Sequence, residues 1–181
     1  MGLFSSKKTS LEEFFPKGDR PAEEHALGDK EHLYEVMVQN LLKESKTSMG
    51  FMGKSSIKAA VQMLRPNEIP NYAILTNVSI GDPLSAEGFN PRSLKEKTNG
   101  VLILTAERLL FAGALGKAPV SQALKLTDIT VVDDSDVTSV VRSVLRVESP
   151  DTILAVDGNK QVLSEFCSHL KAAMKKAKRW G

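Results

Sequence analysis

The chain has 181 residues, of which 41% are hydrophobic and 25% charged, enough for one ordinary domain with a substantial core. Lysine plus arginine number 24 and aspartate plus glutamate 22, and this net charge of +2 argues against a dedicated nucleic-acid-binding protein. The single cysteine excludes an internal disulfide and a cysteine-rich zinc site. No apolar run reaches the roughly 20 residues of a transmembrane helix. We therefore expect a cytoplasmic protein.

The first third of the chain predicts a lead-in followed by two helices. Residues 1–30 are rich in charge, glycine, proline and serine, which is typical of a poorly ordered segment. Over residues 31–66 the apolar side chains recur every three or four positions in two stretches, as on one face of a helix. Glycines separate the two stretches, and Pro66 ends the second. We expect a helical hairpin whose apolar faces pack on each other or on the next domain.

Residues 67–181 are the predicted main domain, and most of it has the pattern of short strands. Seven runs are rich in β-branched residues or alternate between apolar and polar positions: 72–78, 101–105, 108–112, 120–126, 129–132, 137–147 and 152–156. The sixth run is predicted to place Val137, Val141, Leu145 and Val147 on one face. The connections are too short for helical crossovers, so the pattern predicts an antiparallel sheet, sandwich or open barrel.

The last element is predicted to be an amphipathic helix. Its apolar stripe runs from Leu163 to Ala177 with the i, i+3, i+4 spacing of a buried helix face. Cys167 lies in this stripe, which indicates a small core residue. His169 falls on a different face of the same helix, so the two residues cannot form a local catalytic pair.

Motifs for catalysis and metal binding are absent from the sequence. No glycine-rich phosphate loop, nucleophile elbow or His-Glu-x-x-His motif occurs. His25, Asp29 and His32 have helical ligand spacing, but their surroundings have the composition of a surface linker. The aspartates of residues 133–136 lack the glycine and glutamate of a calcium loop, which favours a solvated turn. We expect no enzymatic activity, no cofactor and no metal site.

Three short motifs between residues 64 and 129 carry a family resemblance. They are Leu-Arg-Pro-Asn-Glu at 64–68, Gly-Val-Leu-Ile-Leu-Thr-Ala-Glu-Arg-Leu-Leu-Phe at 100–111 and Leu-Thr-Asp-Ile at 126–129. In the second motif Thr105 can hold the backbone of the turn, and Arg108 can reach across the strand pair. Together the motifs resemble those of the bacterial pleckstrin-homology-like (PH-like) and GRAM-like domain families. The resemblance covers residues 64–178, and the central motif is its specific part.

The resemblance implies an α+β fold. This is a PH-like antiparallel β-barrel or sandwich of about seven strands, capped by a C-terminal amphipathic helix and preceded by the helical hairpin. It also implies a non-enzymatic binding module whose partners are proteins or further copies of the chain, engaged through a strand edge or the barrel rim. Residues 72–89 contain no lysine or arginine. A phosphoinositide site on the first strands is therefore not expected, since phosphate pairing needs these cations.

The charges of the main domain are distributed unevenly. Residues 128–157 contain seven acidic and two basic residues, whereas residues 161–181 contain five basic and one acidic residue. The basic end also carries a tryptophan, which is common at membrane interfaces. These residues form a candidate site for an anionic surface: Lys171, Lys175, Lys176, Lys178, Arg179 and Trp180.

This basic end predicts an alternative function, peripheral association with an anionic membrane. Gly2, Ser6, Lys7 and Lys8 match the myristoylation pattern, and an acyl chain at Gly2 would add a second membrane contact. The opposing interpretation is a solvated helix end whose lysines complement the helix dipole. The sequence leaves both interpretations open, and it does not identify the ligand.

Overall fold

The computed structural model describes residues 22–47, 53–83, 97–115, 118–140 and 142–180. In chain order its elements are α1 (Ala22–Glu44), α2 (Gly53–Gln62), β1 (Tyr72–Gly81), β2 (Thr98–Leu104), β3 (Arg108–Leu115), β4 (Ala118–Lys125), β5 (Val131–Asp133), β6 (Ser143–Ser149), β7 (Thr152–Gly158) and α3 (Lys160–Trp180). The seven strands of these residues form one antiparallel sheet in the order β4-β3-β2-β1-β7-β6-β5. The predicted α+β class and the seven antiparallel strands are confirmed.

The sheet curls into a half-barrel. Gln122 on β4 donates a hydrogen bond from Nε2 to Oγ1 of Thr152 on β7, at 3.1 Å. Three strands separate β4 from β7 in the sheet, which in a flat sheet would place them about 19 Å apart. The short contact therefore requires the two halves of the sheet to bend toward each other.

The main core fills the inside of this curl, and α3 closes it. Alternate residues of the strands point inward and pack against the apolar stripe of α3. Phe111 and Phe166 are the largest fully buried side chains of this cluster. Leu163, Cys167 and Leu170 are buried beside Phe166, as the helical spacing predicted. The amphipathic C-terminal helix is therefore confirmed as the cap of the domain.

The helical hairpin packs on the outer face of the sheet. Val38 and Leu42 of α1, with Ile57 and Val61 of α2, form a second buried cluster. The strand residues of that cluster alternate with those of the main core: Ala73, Val101, Ile103, Leu110 and Ala112. Both faces of β2 and β3 are thus covered, which explains why their sequences are apolar at successive positions. The domain boundary at residues 66 and 67 stays a prediction.

Two glycines allow β2 and β3 to approach closely. Gly100 and Gly113 are directly opposite each other in the strand pair. A Cβ atom at Gly100 would lie 2.2 Å from the carbonyl oxygen of Ala112, and one at Gly113 would lie 2.5 Å from that of Asn99. Neither position accepts a side chain unless the backbone of the opposite strand moves away. The glycine at the start of the central sequence motif therefore has a packing role.

Some predicted boundaries are wrong. α1 begins at Ala22 rather than at residue 31, because Ala22-Glu-Glu-His-Ala-Leu favours helix and Gly28 costs only about 1 kcal/mol. Residues 22–30 are helical and not a poorly ordered lead-in, while residues 1–21 lie outside the described part. α2 runs from Gly53 to Gln62, so it ends before the predicted stop at Pro66.

The long strand predicted over residues 137–147 is also wrong in its first half. β6 begins only at Ser143, and Val137 belongs to a turn, although its side chain still packs in the main core. The Ser143 hydroxyl donates to the Ser139 carbonyl at 2.8 Å and accepts from the Ser139 amide at 3.0 Å. This local hydroxyl bonding competes with strand extension. The predicted position of Val141 lies outside the described residues.

Within the described residues, no helix is both long and apolar enough to cross a bilayer.

Candidate binding surface at the end of strand β4

A tight turn between α2 and β1 positions a glutamate over the sheet. The Glu68 amide donates to the Arg65 carbonyl at 3.0 Å, so residues 65–68 form a β-turn. Pro66 suits the second position of that turn, and Asn67 has a positive φ of 67° at the third, as in a type II turn. The Glu68 carboxylate accepts from the Arg65 amide at 3.0 Å. The local sequence therefore fixes both the turn and the direction of Glu68.

Glu68 binds two polar residues beside the β2–β3 turn, Thr105 and Arg108. Arg108 Nε donates to Glu68 Oε1 at 2.9 Å, and Arg108 Nη2 donates both to Glu68 Oε2 and to the Met63 carbonyl. The Thr105 hydroxyl donates to Glu68 Oε1 at 2.8 Å and accepts from the Arg108 amide at 2.9 Å. The prediction that Thr105 holds the turn is confirmed. Arg108 does not reach across its own strand pair but binds the segment before β1.

This Glu68–Arg108–Thr105 clamp leaves little free chemistry. Burial opposes ionisation of Glu68, but hydrogen bonds from Arg108, the Arg65 amide and Thr105 outweigh it and lower its pKa from 4.5 to about 2. The hydrogen bond to Glu68 likewise raises the pKa of Arg108. Both charges are therefore held fully ionised and bound to each other. We interpret the clamp as a structural link between the helical hairpin and the sheet.

β4 is a long edge strand, and the direction of its main-chain groups can be assigned. The Leu126 amide donates to the Glu107 carbonyl at 2.8 Å, and the register continues toward the start of β4. Because hydrogen-bonded pairs alternate along an antiparallel ladder, Gln122 and Leu124 bond to β3. Ser121, Ala123 and Lys125 direct their N–H and C=O groups to the outer side of the sheet. No strand of the described residues pairs with that side.

The opposite edge strand, β5, is much shorter. It has three residues, Val131–Asp133, paired with β6. The turn after it is fastened to α3, since Lys171 Nζ lies 2.8 Å from Asp134 Oδ2. Asp133 closes the turn locally by accepting from the Ser135 amide at 2.9 Å. The β5 edge therefore offers little backbone to a partner.

An open cleft of about 550 Å³ lies at the C-terminal end of β4. Arg65 Nη1 lies 3.5 Å from Glu107 Oε2, so these two exposed charges balance each other, as Glu68 balances Arg108. The ammonium groups of Lys125 and Lys176, which also line the cleft, have no ion-pair partner within the part of the chain that the structure describes. The lining consists of Arg65, Ala106, Glu107, Arg108, Lys125, Thr127, Lys176 and Ala177.

The structure separates the residues of the predicted basic site. Lys171 is paired with Asp134, and this hydrogen bond raises the pKa of Lys171. Lys176 lines the cleft at the end of β4. The other three cations, Lys175, Lys178 and Arg179, are exposed on the last turns of α3. Trp180 ends the helix, and its side chain lies outside the described part.

Sequence reasoning missed two of the cations at the cleft. Arg65 lies before β1 and Lys125 ends β4, far from α3 in sequence, yet both line the same cleft as Lys176. No local pattern places these three residues together. The alternation of residues 120–126 puts Lys125 on the face opposite Leu124, and this was the one available signal.

The described residues provide no evident reactive centre. Burial and the neighbouring Asp134 carboxylate raise the pKa of the Cys167 thiol, while Lys171 lowers it less, so the reactive thiolate is disfavoured. No group of three or more histidine, cysteine, aspartate or glutamate side chains in this part of the chain could hold a metal ion. The features that remain are a strand edge and a charged cleft, which suit binding.

Seven antiparallel strands in a curled sheet, closed by a C-terminal helix, define a PH-like domain. Among solved structures, the chain is similar to the Vps36 N-terminal PH domain, with 18% identity over 62% of this chain and 83% of that chain and a TM-score of 0.42. It is also similar to the linker-DH/PH domains of p115-RhoGEF, with 10% identity over 84% of this chain and 42% of that chain and a TM-score of 0.44.

A third similar structure is the C-terminal domain of an unknown protein from Leishmania infantum, with 17% identity over 59% of this chain and 84% of that chain and a TM-score of 0.40. No model of a protein family and no curated protein matches the sequence. The PH-like assignment therefore depends on the order and direction of the strands. Bacterial origin and GRAM-like membership stay predictions from the sequence motifs.

Proposed function

We propose that this chain is a non-enzymatic, cytoplasmic binding module that adds an extended segment of a partner protein to the outer side of β4. One observation carries the proposal: Ser121, Ala123 and Lys125 direct main-chain donors and acceptors outward along an eight-residue strand, and no described strand occupies that side. A segment that adds to such an edge gains main-chain hydrogen bonds without any change of the sheet.

The composition of β4 supports its use as a docking edge. Proteins usually protect long edge strands with charges, prolines or bulges because free edges promote aggregation. β4 has Pro119 near its start and Lys125 at its end, with small exposed side chains, Ser121 and Ala123, between them. Pro119 belongs to the outward set, where its missing N–H breaks no bond to β3. The middle of the edge is therefore open to a partner strand.

The test is a proline at Ala123, which deletes one outward N–H and leaves the bonds to β3 in place. A partner captured by the chain, or a peptide selected on it, should bind Ala123→Pro at least about tenfold more weakly, because one or two main-chain hydrogen bonds are lost. Isothermal titration calorimetry measures the difference. Ala123→Ser is the matched control, since it changes the side chain and keeps the N–H.

One outcome contradicts the proposal, and a second variant covers the case in which the first does not fold. If Ala123→Pro and Ala123→Ser bind equally well, the β4 edge does not carry the interaction. If binding is lost only because Ala123→Pro unfolds, circular dichroism shows it, and Ser121→Pro then repeats the test at a second outward position. Light scattering at high concentration decides whether the partner is a second copy, since edge pairing of two β4 strands predicts a dimer that Ala123→Pro dissociates.

The exposed end of α3 favours a second candidate function, contact with an anionic membrane. Lys175, Lys178 and Arg179 are exposed and have no ion-pair partner among the described residues. Each lysine or arginine near an anionic bilayer contributes about 1 kcal/mol. Three such residues provide a weak attraction, which a second signal such as an acylated Gly2 would strengthen.

Sedimentation with phosphatidylserine-containing vesicles at low salt tests this second function. Lys175→Glu/Lys178→Glu should remain in the supernatant while the unmodified chain sediments. The matched control is Lys43→Glu/Lys58→Glu, which makes the same charge change on the helical hairpin. Equal sedimentation of the two double variants, or none of the unmodified chain, rejects a membrane site on α3.

A further inference from the structure

The cleft and the β4 edge are one continuous surface, which restricts the chemistry of the partner. Lys125 is both the last residue of β4 and part of the cleft lining. Its main-chain groups point to the outer side of the sheet, and both it and Lys176 line the cleft. A segment that pairs with β4 therefore runs directly past these two ammonium groups.

An extended segment on β4 is long enough to reach the cleft. Ser121 to Lys125 spans about 13 Å, since a strand rises about 3.3 Å per residue. A segment of five residues covers this distance, and one or two further residues extend over the cleft. Those residues meet Lys125 and Lys176, because Arg65 is already engaged by Glu107 and Arg108 by Glu68.

We infer that the partner segment carries aspartate or glutamate at the end that lies beside Lys125. This inference rests on the proposed function, since it assigns the side chains of the strand that β4 binds. Acidic side chains place their carboxylates against two otherwise unbalanced ammonium groups, and they select one register of the added strand. A neutral segment leaves the charges unpaired, and a basic segment is repelled.

A second copy of this chain does not satisfy the same requirement through its own β4. That strand, Ala-Pro-Val-Ser-Gln-Ala-Leu-Lys, contains one lysine and no acidic residue. Pairing of two β4 edges would therefore bring no carboxylate of β4 to the cleft. Charge complementarity therefore favours a different polypeptide with an acidic end.

Selection from a random octapeptide library displayed on phage tests the inference on the full chain. The enriched peptides should combine a run of β-branched residues with aspartate or glutamate at one end. A synthetic peptide of the enriched sequence should bind Lys125→Glu/Lys176→Glu about tenfold more weakly in fluorescence anisotropy, from the loss of two solvent-exposed ion pairs and their replacement by repulsion. Replacing its acidic residues with lysine should restore binding to that variant.

Lys43→Glu/Lys58→Glu is the matched control, because it makes the same double charge reversal on the helical hairpin, outside the cleft lining. It should change the affinity less than twofold.

Enriched peptides without acidic ends, or equal affinity of the charge-reversed and control variants, overturn the inference. If such peptides still lose binding in Ala123→Pro, the proposed β4 edge stands and only the acidic partner fails. If no selected peptide depends on Ala123, the proposed function fails. Vesicle binding lost specifically in Lys125→Glu/Lys176→Glu would assign the cleft to a membrane instead.

Discussion

The two edges of the sheet differ in length and in how each is held. β4 has eight residues and ends beside a cleft, whereas β5 has three residues and ends in an acidic turn. The β4 end is supported by the buried clamp between Glu68 and Arg108, while the β5 end is held by the exposed pair Lys171–Asp134. The fold therefore shortens one edge and leaves the other long, and the long edge is the one that we propose as the docking site.

The difference in burial predicts different energetic consequences for the two ion pairs. The Glu68 and Arg108 side chains are 7% and 11% exposed, but the Asp134 and Lys171 side chains are 53% and 50% exposed. A buried charge that loses its partner is strongly destabilising, whereas an exposed pair contributes little. The β4 support should therefore be essential for the domain, and the β5 support should be dispensable.

The largest effect is expected from breaking the β4 support. Arg108→Met leaves the Glu68 carboxylate without its guanidinium and should lower the free energy of unfolding by about 3 kcal/mol. Urea denaturation measures the loss. The double variant Glu68→Met/Arg108→Met should recover much of it, because apolar replacement of both partners removes the buried charge. A double variant no more stable than Arg108→Met contradicts this explanation.

An intermediate effect is expected from acid. The pKa of Glu68 is about 2 in the folded protein and 4.5 ordinarily, so the folded state favours the ionised form. This contribution is fully present above pH 4.5 and is lost as the pH falls toward 2. It should amount to about 2 kcal/mol after allowance for solvent screening.

Thermal unfolding between pH 7 and pH 2 measures the acid effect, with Glu68→Gln as the comparison. The variant should be less stable than the unmodified chain at pH 7, and the difference should shrink steadily below pH 4.5. A difference that stays constant down to pH 2 would show that the clamp does not depend on the Glu68 charge.

The smallest effect is expected at the β5 edge. Lys171→Met removes the ion pair with Asp134 and should change the free energy of unfolding by less than about 1 kcal/mol, since both side chains are half exposed. Urea denaturation of Lys171→Met and Arg108→Met under the same conditions compares the free energy of unfolding that each ion pair contributes. Similar losses for the two variants would remove the distinction between the edges.

The sequence predicted most of the elements but not all of their boundaries. The period of the apolar residues identified α3 and its buried stripe, and the alternation of residues 120–126 separates the buried Leu124 from the exposed Lys125. One error falls where local hydroxyl bonding overrides periodicity, as at Ser143. Another falls where residues without an apolar period still favour helix, as at the start of α1. For the candidate site, the motif indicated that Thr105 holds the turn, but Arg108 was assigned the wrong partner.

The sequence by itself determined the class of fold, because the spacing of apolar residues dictates which faces must be buried in strands and helices. It also determined the turn that aims Glu68, since Pro66 and Asn67 have intrinsic backbone preferences. Only the tertiary structure decided that the helical hairpin covers the outer face of the sheet. Only it brought Arg65, Lys125 and Lys176 to one cleft and left the outer side of β4 without a partner among the described strands. Such contacts join residues distant in the chain, and they depend on how the sheet curls, which no local pattern records.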